Sequence, residues 1–163
     1  MIVNLRKATC VDVTCLKELA KEFAAENPSD SSTARKDLKN SSEAVTRLLA
    51  DNHVEVLVAE VTSHIVGCVI FSSMPSLVHG GRLLVFVDLV VVKNKYRRQG
   101  IGKQLMSAVM EFASRNNAYK IVLTTRFNNV AALALHRSCG LQKNGLAMAF
   151  YATSVRPSET DGG

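Results

Sequence analysis

Arg97-Arg98-Gln99-Gly100-Ile101-Gly102-Lys103 is the stretch that decides how the rest of this chain reads. An apolar segment with strand composition, Leu83 to Val92, precedes it. Ile101 to Arg115, with the spacing of an amphipathic helix, follows it. A strand, a basic glycine-rich turn and a helix N-terminus together make a seat for an anion. Glycine lets the backbone approach a ligand closely. The first helical N–H groups have no partner inside the helix, and the helix dipole makes that end positive. The expected ligand is a phosphorylated small molecule. Two other glycine motifs fail on spacing. A P-loop needs Ser or Thr after Gly102-Lys103, where Gln104 stands, and a glycine where Arg97 stands. A dinucleotide fingerprint needs a third glycine where Leu105 stands. The plainer alternative, that Gly100 and Gly102 only make a tight turn, leaves two arginines and a lysine around them unexplained.

Composition bounds the rest. With 163 residues, 47% of them hydrophobic, the chain can bury a sizeable core, and nothing suggests two domains. We expect one domain over residues 1–156 and a flexible polar tail over 157–163. No apolar run approaches the roughly 20 residues that span a bilayer, so no membrane partner is expected. Met1-Ile2-Val3-Asn4-Leu5-Arg6 reads as a strand and lacks the apolar core of a signal peptide. Cys10, Cys15, Cys68 and Cys139 form no C-x-x-C pair and no His/Cys cluster, so no metal site is expected. They read as small buried hydrophobes in a reduced, cytoplasmic compartment. The net charge of +6 is modest, and its dense part (Lys93, Lys95, Arg97, Arg98, Lys103) coincides with the glycine turn. Aromatic residues are only 6% of the chain, without tryptophan, which disfavours nucleic acid as the partner.

Hydrophobic periodicity alternates between strand and helix along the chain. Ile2 to Arg6 reads as a strand. Thr9 opens a helix, with Asp12 in an approximate capping box and a stripe of Val13, Leu16, Leu19, Ala20 and Phe23. Pro28 to Lys39 is a serine-rich loop, and Ser41 or Ser42 caps a helix running to Ala50. Glu55 to Val61 and Ile65 to Ser72 form a hairpin about Thr62-Ser63-His64, and Met74 to Arg82 is a loop. Tyr119 to Arg126 is a strand. Asn128 or Asn129 caps a helix to Ser138, Gly140 ends it in a left-handed conformation, and Leu146 to Thr153 is a last strand. The order β-α-α-β-β-β-α-β-α-β gives a mixed α/β fold, with helices on the faces of one sheet.

Three segments in this order resemble the GNAT superfamily of N-acetyltransferases. Arg97, Gly100 and Gly102 fit the acyl-CoA signature Arg/Gln-x-x-Gly-x-Gly/Ala. Asp88-Leu89-Val90-Val91-Val92, with Tyr96, is similar to the strand before that signature. Asn129, Ala132, His136, Gly140 and Leu141 follow the late helix pattern Asn-x-x-Ala-x-x-x-Tyr-x-x-x-Gly-Phe, with histidine in place of tyrosine and leucine in place of phenylalanine. The similarity covers Val54 to Tyr151 well, and the N-terminal third by element order alone.

The resemblance implies a centrally splayed mixed sheet, acetyl-CoA as co-substrate without a metal, an amine acceptor, and acetyl transfer by direct attack. A CoA-binding sensor without strong catalysis is the alternative, and relatives that pair through their sheets make a homodimer one expectation. Main-chain N–H groups of Arg98, Gln99, Gly100, Ile101, Gly102 and Lys103 would cradle the CoA diphosphate, with added charge from Arg97, Arg98 and Lys103. The backbone of Val90, Val91 and Val92 would pair with the pantetheine amides, a donor near Val90 would stabilise the oxyanion, and Asn129 would touch the cofactor arm or simply cap its helix. Asp88, the only acid in an apolar strand, is the candidate base; a salt bridge with Arg82 or Arg126 is its bland alternative. His136 is the candidate proton donor to the leaving thiolate, or a satisfied histidine on a helix face. Glu26, Asp30 and Asp37 could attract a cationic acceptor, whose identity stays open. His53, His64 and His79 read as surface residues.

Overall fold

Leu83–Val92 is apolar at nearly every position because it is an inner strand, covered on both faces. The computed structural model describes residues 2–26 and 41–145. The expected loop Pro28 to Lys39, the last strand Leu146 to Thr153 and the tail lie outside the described residues. Five strands form one sheet in chain order: β1 (Asn4–Lys7), β2 (Val54–Val61), β3 (His64–Pro75), β4 (Leu83–Val92) and β5 (Lys120–Leu123). The first four run antiparallel to their neighbours, and β5 lies parallel to β4. The sheet is therefore mixed, as expected.

Helices cover both faces. On one face α1 (Val13–Glu26) and α2 (Ser41–Ala50) pack Leu16, Leu19, Leu48 and Leu49 onto Val56, Val58, Cys68 and Val91. On the other, α3 (Ile101–Arg115) sets Ile101, Leu105, Met106, Val109 and Ala113 against Val66, Val69, Phe71, Val85 and Val87. These α3 positions recur at helical spacing, which is why that stretch folds as a helix with one dry face. Helix α4 (Val130–Ser138) lies against the start of α3, and Cys139 and Leu141 join the same core. Among the described residues no helix is long and apolar enough to cross a membrane.

Two irregularities in β4 shape the molecule. Ile70 pairs with Leu89 and Phe71 with Val87, so Asp88 is an extra residue in a β-bulge. The bulge reverses the alternation of side chains. Val85 and Val87 point to the α3 face before it, and Val90 and Val92 do so after it, while Val91 enters the core under α1. Pairing with β5 runs only from Leu84 to Val87, and β4 continues to Val92 without it. This is the expected central splay. On the other flank β3 and β4 stay tight: a Cβ at Gly67 would lie 2.8 Å from the Val91 carbonyl oxygen.

Several expected boundaries shift. The first strand is Asn4–Lys7 rather than Ile2 to Arg6. Met74 and Pro75 extend β3 by pairing with Leu84 and Leu83, and proline is tolerated there as the strand's last residue. The strand expected over Tyr119 to Arg126 shortens to Lys120–Leu123 because β4 diverges from it. Ser42 lies within α2, and its hydroxyl binds Lys17 of α1 at 2.8 Å. Of the four thiols only Cys68 is buried, and desolvation pushes its pKa up to about 12; Cys10 is exposed, because its short 3₁₀ turn faces solvent.

One charged cluster ties β1, β2 and the start of α1 together. Arg6 binds both oxygens of Asp12, at 2.7 and 2.9 Å, and reaches Glu60 at 2.7 Å. The Thr9 N–H donates to Asp12 at 2.7 Å, the aspartate half of the expected capping box. Asp12 is 4% exposed, and the Arg6 hydrogen bonds hold its carboxyl at about 2, below the model-peptide 3.8. A lowered folded-state pKa adds stability above the unfolded value, and that stability is lost as pH falls through the folded value. The Asp12 contribution, roughly 2 kcal/mol, should therefore be complete above about pH 5 and vanish between about pH 4 and 2. Asp12→Ala should cost about 2 kcal/mol in urea unfolding at pH 7 by removing the hydrogen bonds from Arg6 and the Thr9 N–H, with Glu60 still holding Arg6, and should flatten the acid limb of the stability profile.

Candidate active site

The segment between β4 and α3 turns on unusual backbone. After a 3₁₀ turn over Asn94–Tyr96, Arg98 has φ +60° and Gly100 has φ +82°. Glycine bears the second conformation freely; arginine bears the first at a cost of about 1 kcal/mol. The main-chain N–H groups of residues 98–103 have no hydrogen-bond partner among the described residues, and the first helical bond runs from Gln104 N to Gly100 O at 3.0 Å. Two left-handed residues, Arg98 and Gly100, thus lead into a helix N-terminus, whose free N–H groups suit an anion.

The two glycines have different reasons. Gly100 needs its positive φ, and a Cβ there would meet nothing. Gly102 has an ordinary φ but a close neighbour, since a Cβ would lie 3.1 Å from Leu135 Cδ2 in α4. Ile101, 1% exposed, anchors the turn in the core between them. Arg98 and Lys103 are exposed and form no ion pair among the described residues, so their charge is free to meet an anion.

Arg97 is differently committed. Its Nε donates to the Val92 carbonyl at 2.8 Å, and its guanidinium binds Glu26 at 2.8 Å with Glu22 at 3.8 Å. The residue that reads from sequence as another phosphate cation is thus tied to α1. Glu26 is likewise no loop acid awaiting an acceptor, since it ends α1 in this ion pair. Asp30 and Asp37 lie outside the described residues. The sequence reading missed Glu18 and Glu22 as partners of the turn. Their signal was the four-residue spacing Glu18, Glu22, Glu26, which puts the acids in one row on a helix.

Asp88 is exposed, contrary to the buried carboxylate its strand suggests, because the bulge takes it out of the alternation. Neighbouring atoms still crowd it enough that desolvation raises its pKa above 3.8. It forms no ion pair among the described residues, and Arg82 instead donates to the carbonyls of Asn117 and Ala118 at 3.3 Å. Val90, Val91 and Val92 follow it on the edge that β5 leaves open. Their side chains are core, and the Val92 carbonyl already accepts from Arg97.

Asn129 accepts from Ala132 N at 3.1 Å, so its side-chain oxygen caps α4. His136, in the same helix, is half-buried, and desolvation lowers its pKa below 6.5. Its Nδ1 is sealed from solvent without a hydrogen-bond partner among the described residues. His53, His64 and His79 are exposed, as expected. Among the described residues no group of three His, Cys, Asp or Glu could hold a metal ion.

Comparison with known proteins fits this geometry. Residues 16–141 match the sequence profile of the Acetyltransferase (GNAT) family. The chain is 36% identical over 67 residues to N-acetyltransferase family 8 member 3 of Mus musculus, covering 41% of this chain and 30% of that protein. It is 38% identical over 68 residues to N-alpha-acetyltransferase RimI of Mycobacterium tuberculosis, covering 42% of this chain and 41% of that protein. The chain thus spans less than half the length of these curated relatives. The solved structure of ribosomal-protein-alanine N-acetyltransferase from Brucella melitensis shares the fold, with TM-score 0.74, 21% identity, and coverage of 93% of this chain and 100% of that one.

The free amides make Gly100 the sensitive position of the turn. Gly100→Asp adds a carboxylate that competes for them at a strained φ, and coenzyme A affinity by calorimetry should fall roughly 100-fold. Gly102→Ala meets only the mobile end of Leu135 and should change that affinity less than about threefold.

Proposed function

Because the chain belongs to the Acetyltransferase (GNAT) family, we propose that it is an acetyl-CoA-dependent N-acetyltransferase acting on a primary amine of a small molecule or peptide. The transfer is direct, with both substrates bound together in one domain over residues 1–156. The observation that carries this reading is the run of N–H groups at residues 98–103 without a partner among the described residues, on the strand-turn-helix that the signature occupies. These amides, with Arg98 and Lys103, would hold the diphosphate. The open edge of β4 at Val90 and Val91 would align the pantetheine arm, and Asn129, capping α4, would flank it. Acetyl-CoA, when bound, supplies an acetyl group activated as a thioester.

This chain's residues then manage protons. An amine with a lysine-like pKa of about 10.4 is protonated at neutral pH and must lose that proton to attack. Asp88, directly or through water, is the proposed acceptor, and its raised pKa improves it as a base. A donor on the β4 edge near Val90 offers a hydrogen bond to the developing oxyanion. His136 has a lowered pKa and is neutral at pH 7, so it stores no proton for the leaving thiolate. It serves the thiolate only by first collecting the second proton, which the nitrogen sheds after attack as the amide forms.

That same neutrality favours a second reading, a CoA-binding sensor with weak or no catalysis. Thiol release from acetyl-CoA across a panel of amino sugars, polyamines, amino acids and peptide N-termini separates the two: turnover with one class is expected, and CoA binding without turnover would establish the sensor. In an active enzyme, protonation of His136 and Asp88 stops the relay, so kcat should fall on the acid side of pH 6.5. His136→Phe should lower kcat roughly 10- to 100-fold with unchanged CoA affinity, and unchanged turnover would remove His136 from the mechanism.

A further inference from the structure

Glu18, Glu22 and Glu26 of α1 form a row along the segment that joins β4 to α3. Lys93 Nζ lies 3.9 Å from Glu18. The main-chain N–H of Asn94 donates to Glu22 at 2.7 Å. Arg97 donates to Glu26 at 2.8 Å, with Glu22 at 3.8 Å, while its Nε donates to the Val92 carbonyl at 2.8 Å. The tied segment thus ends at Arg97, and the free amides begin at the next residue. Helix α1 is a firm anchor, since Leu16 and Leu19 are buried against the sheet.

Resting on the reading that residues 98–103 seat a diphosphate, we propose that Glu22 and Glu26 are positioning residues for that seat, acting through Arg97 and Asn94. Two features argue for positioning rather than plain cohesion. Arg98, the residue after the latch, holds φ +60°, which an arginine does not adopt by local preference. Surrounding structure has to impose it, and Arg97 is the covalent neighbour through which α1 can do so. The charges also run against the seat's own interest. Carboxylates near an anion site weaken it by their field, and they occupy an arginine that could otherwise bind phosphate. Such an arrangement helps anion binding only if fixing the direction of several amides outweighs one more cation.

The opposed signs give the test. Coenzyme A binding is measured by calorimetry for wild type, Glu22→Gln, Glu26→Gln, the double variant, Arg97→Gln and the triple variant, with thermal unfolding alongside. Positioning predicts that the double variant loses roughly tenfold in affinity, and that Arg97→Gln loses about as much. The triple variant should then lose little more, because all three act through one latch. A field effect alone predicts tighter binding once the acids are neutral. A role in stability alone predicts lower thermal stability with unchanged affinity. Either of these results overturns the proposal. Wild type that fails to bind coenzyme A would overturn the seat and this proposal together; wild type that binds, with variants equal to it, overturns only the positioning. Glu26, with its side chain 40% exposed, is the variant that tolerates change best, and Glu26→Gln alone keeps the comparison readable if the double variant does not fold.

Discussion

Strand β4 is paired on both flanks only as far as Val87, and the rest of the molecule's logic follows from that. A main chain left unpaired inside a sheet must give its N–H and C=O groups to water or to a ligand. The divergence of the two strands leaves such an edge along β4 beyond Val87, past the end of its pairing with β5 among the described residues. It also aims the end of β4 at the first turn of α3. The proposed anion seat and the open edge are therefore neighbouring parts of one chain segment, residues 88 to 103. A long, thin ligand with a charged end and an amide-bearing arm suits that sequence of surfaces.

The bulge at Asp88 makes the splay compatible with a sheet buried on both faces. Without the bulge, with all residues paired in regular register, the alternation set by Val85 and Val87 would send Leu89 and Val91 toward α3 and leave the α1 face without them. One inserted residue reverses the phase, so each face stays apolar and a polar side chain is released from the core. Gly67 secures the other side, because Val91 comes too close to admit a side chain there.

Much of this was legible in the sequence. β4 and α3 have the boundaries that their composition and spacing suggest, since one is continuously apolar and the other keeps helical spacing through Ala113. The left-handed Gly140 and the cap at Asn129 were also readable, because each is a local rule written in residues a few positions apart. What could not be read was where a charged side chain points. Arg97 has the same composition and neighbours as Arg98, yet one is bound to α1 and the other is free in solvent. That difference depends on contacts some 71 residues apart in the chain. The exposure of Asp88 was hidden for a similar reason: a bulge is a property of the pairing of two strands, and nothing within β4 announces it.

Desolvation acts in opposite senses on the two groups proposed for proton transfer. It raises the carboxyl of Asp88 and lowers the imidazole of His136, so their proton affinities approach each other from opposite sides. Under the proposed chemistry the ammonium gives up two protons on its way to an amide and the thiolate takes one, so one proton leaves to solvent. An enzyme with that balance needs no strong acid in reserve, only acceptors that part with the proton readily. Histidine in the place of tyrosine is consistent with this, since neutral imidazole accepts on one nitrogen while the other carries a proton. Its buried Nδ1, without a partner among the described residues, marks where one of those two states has still to be satisfied.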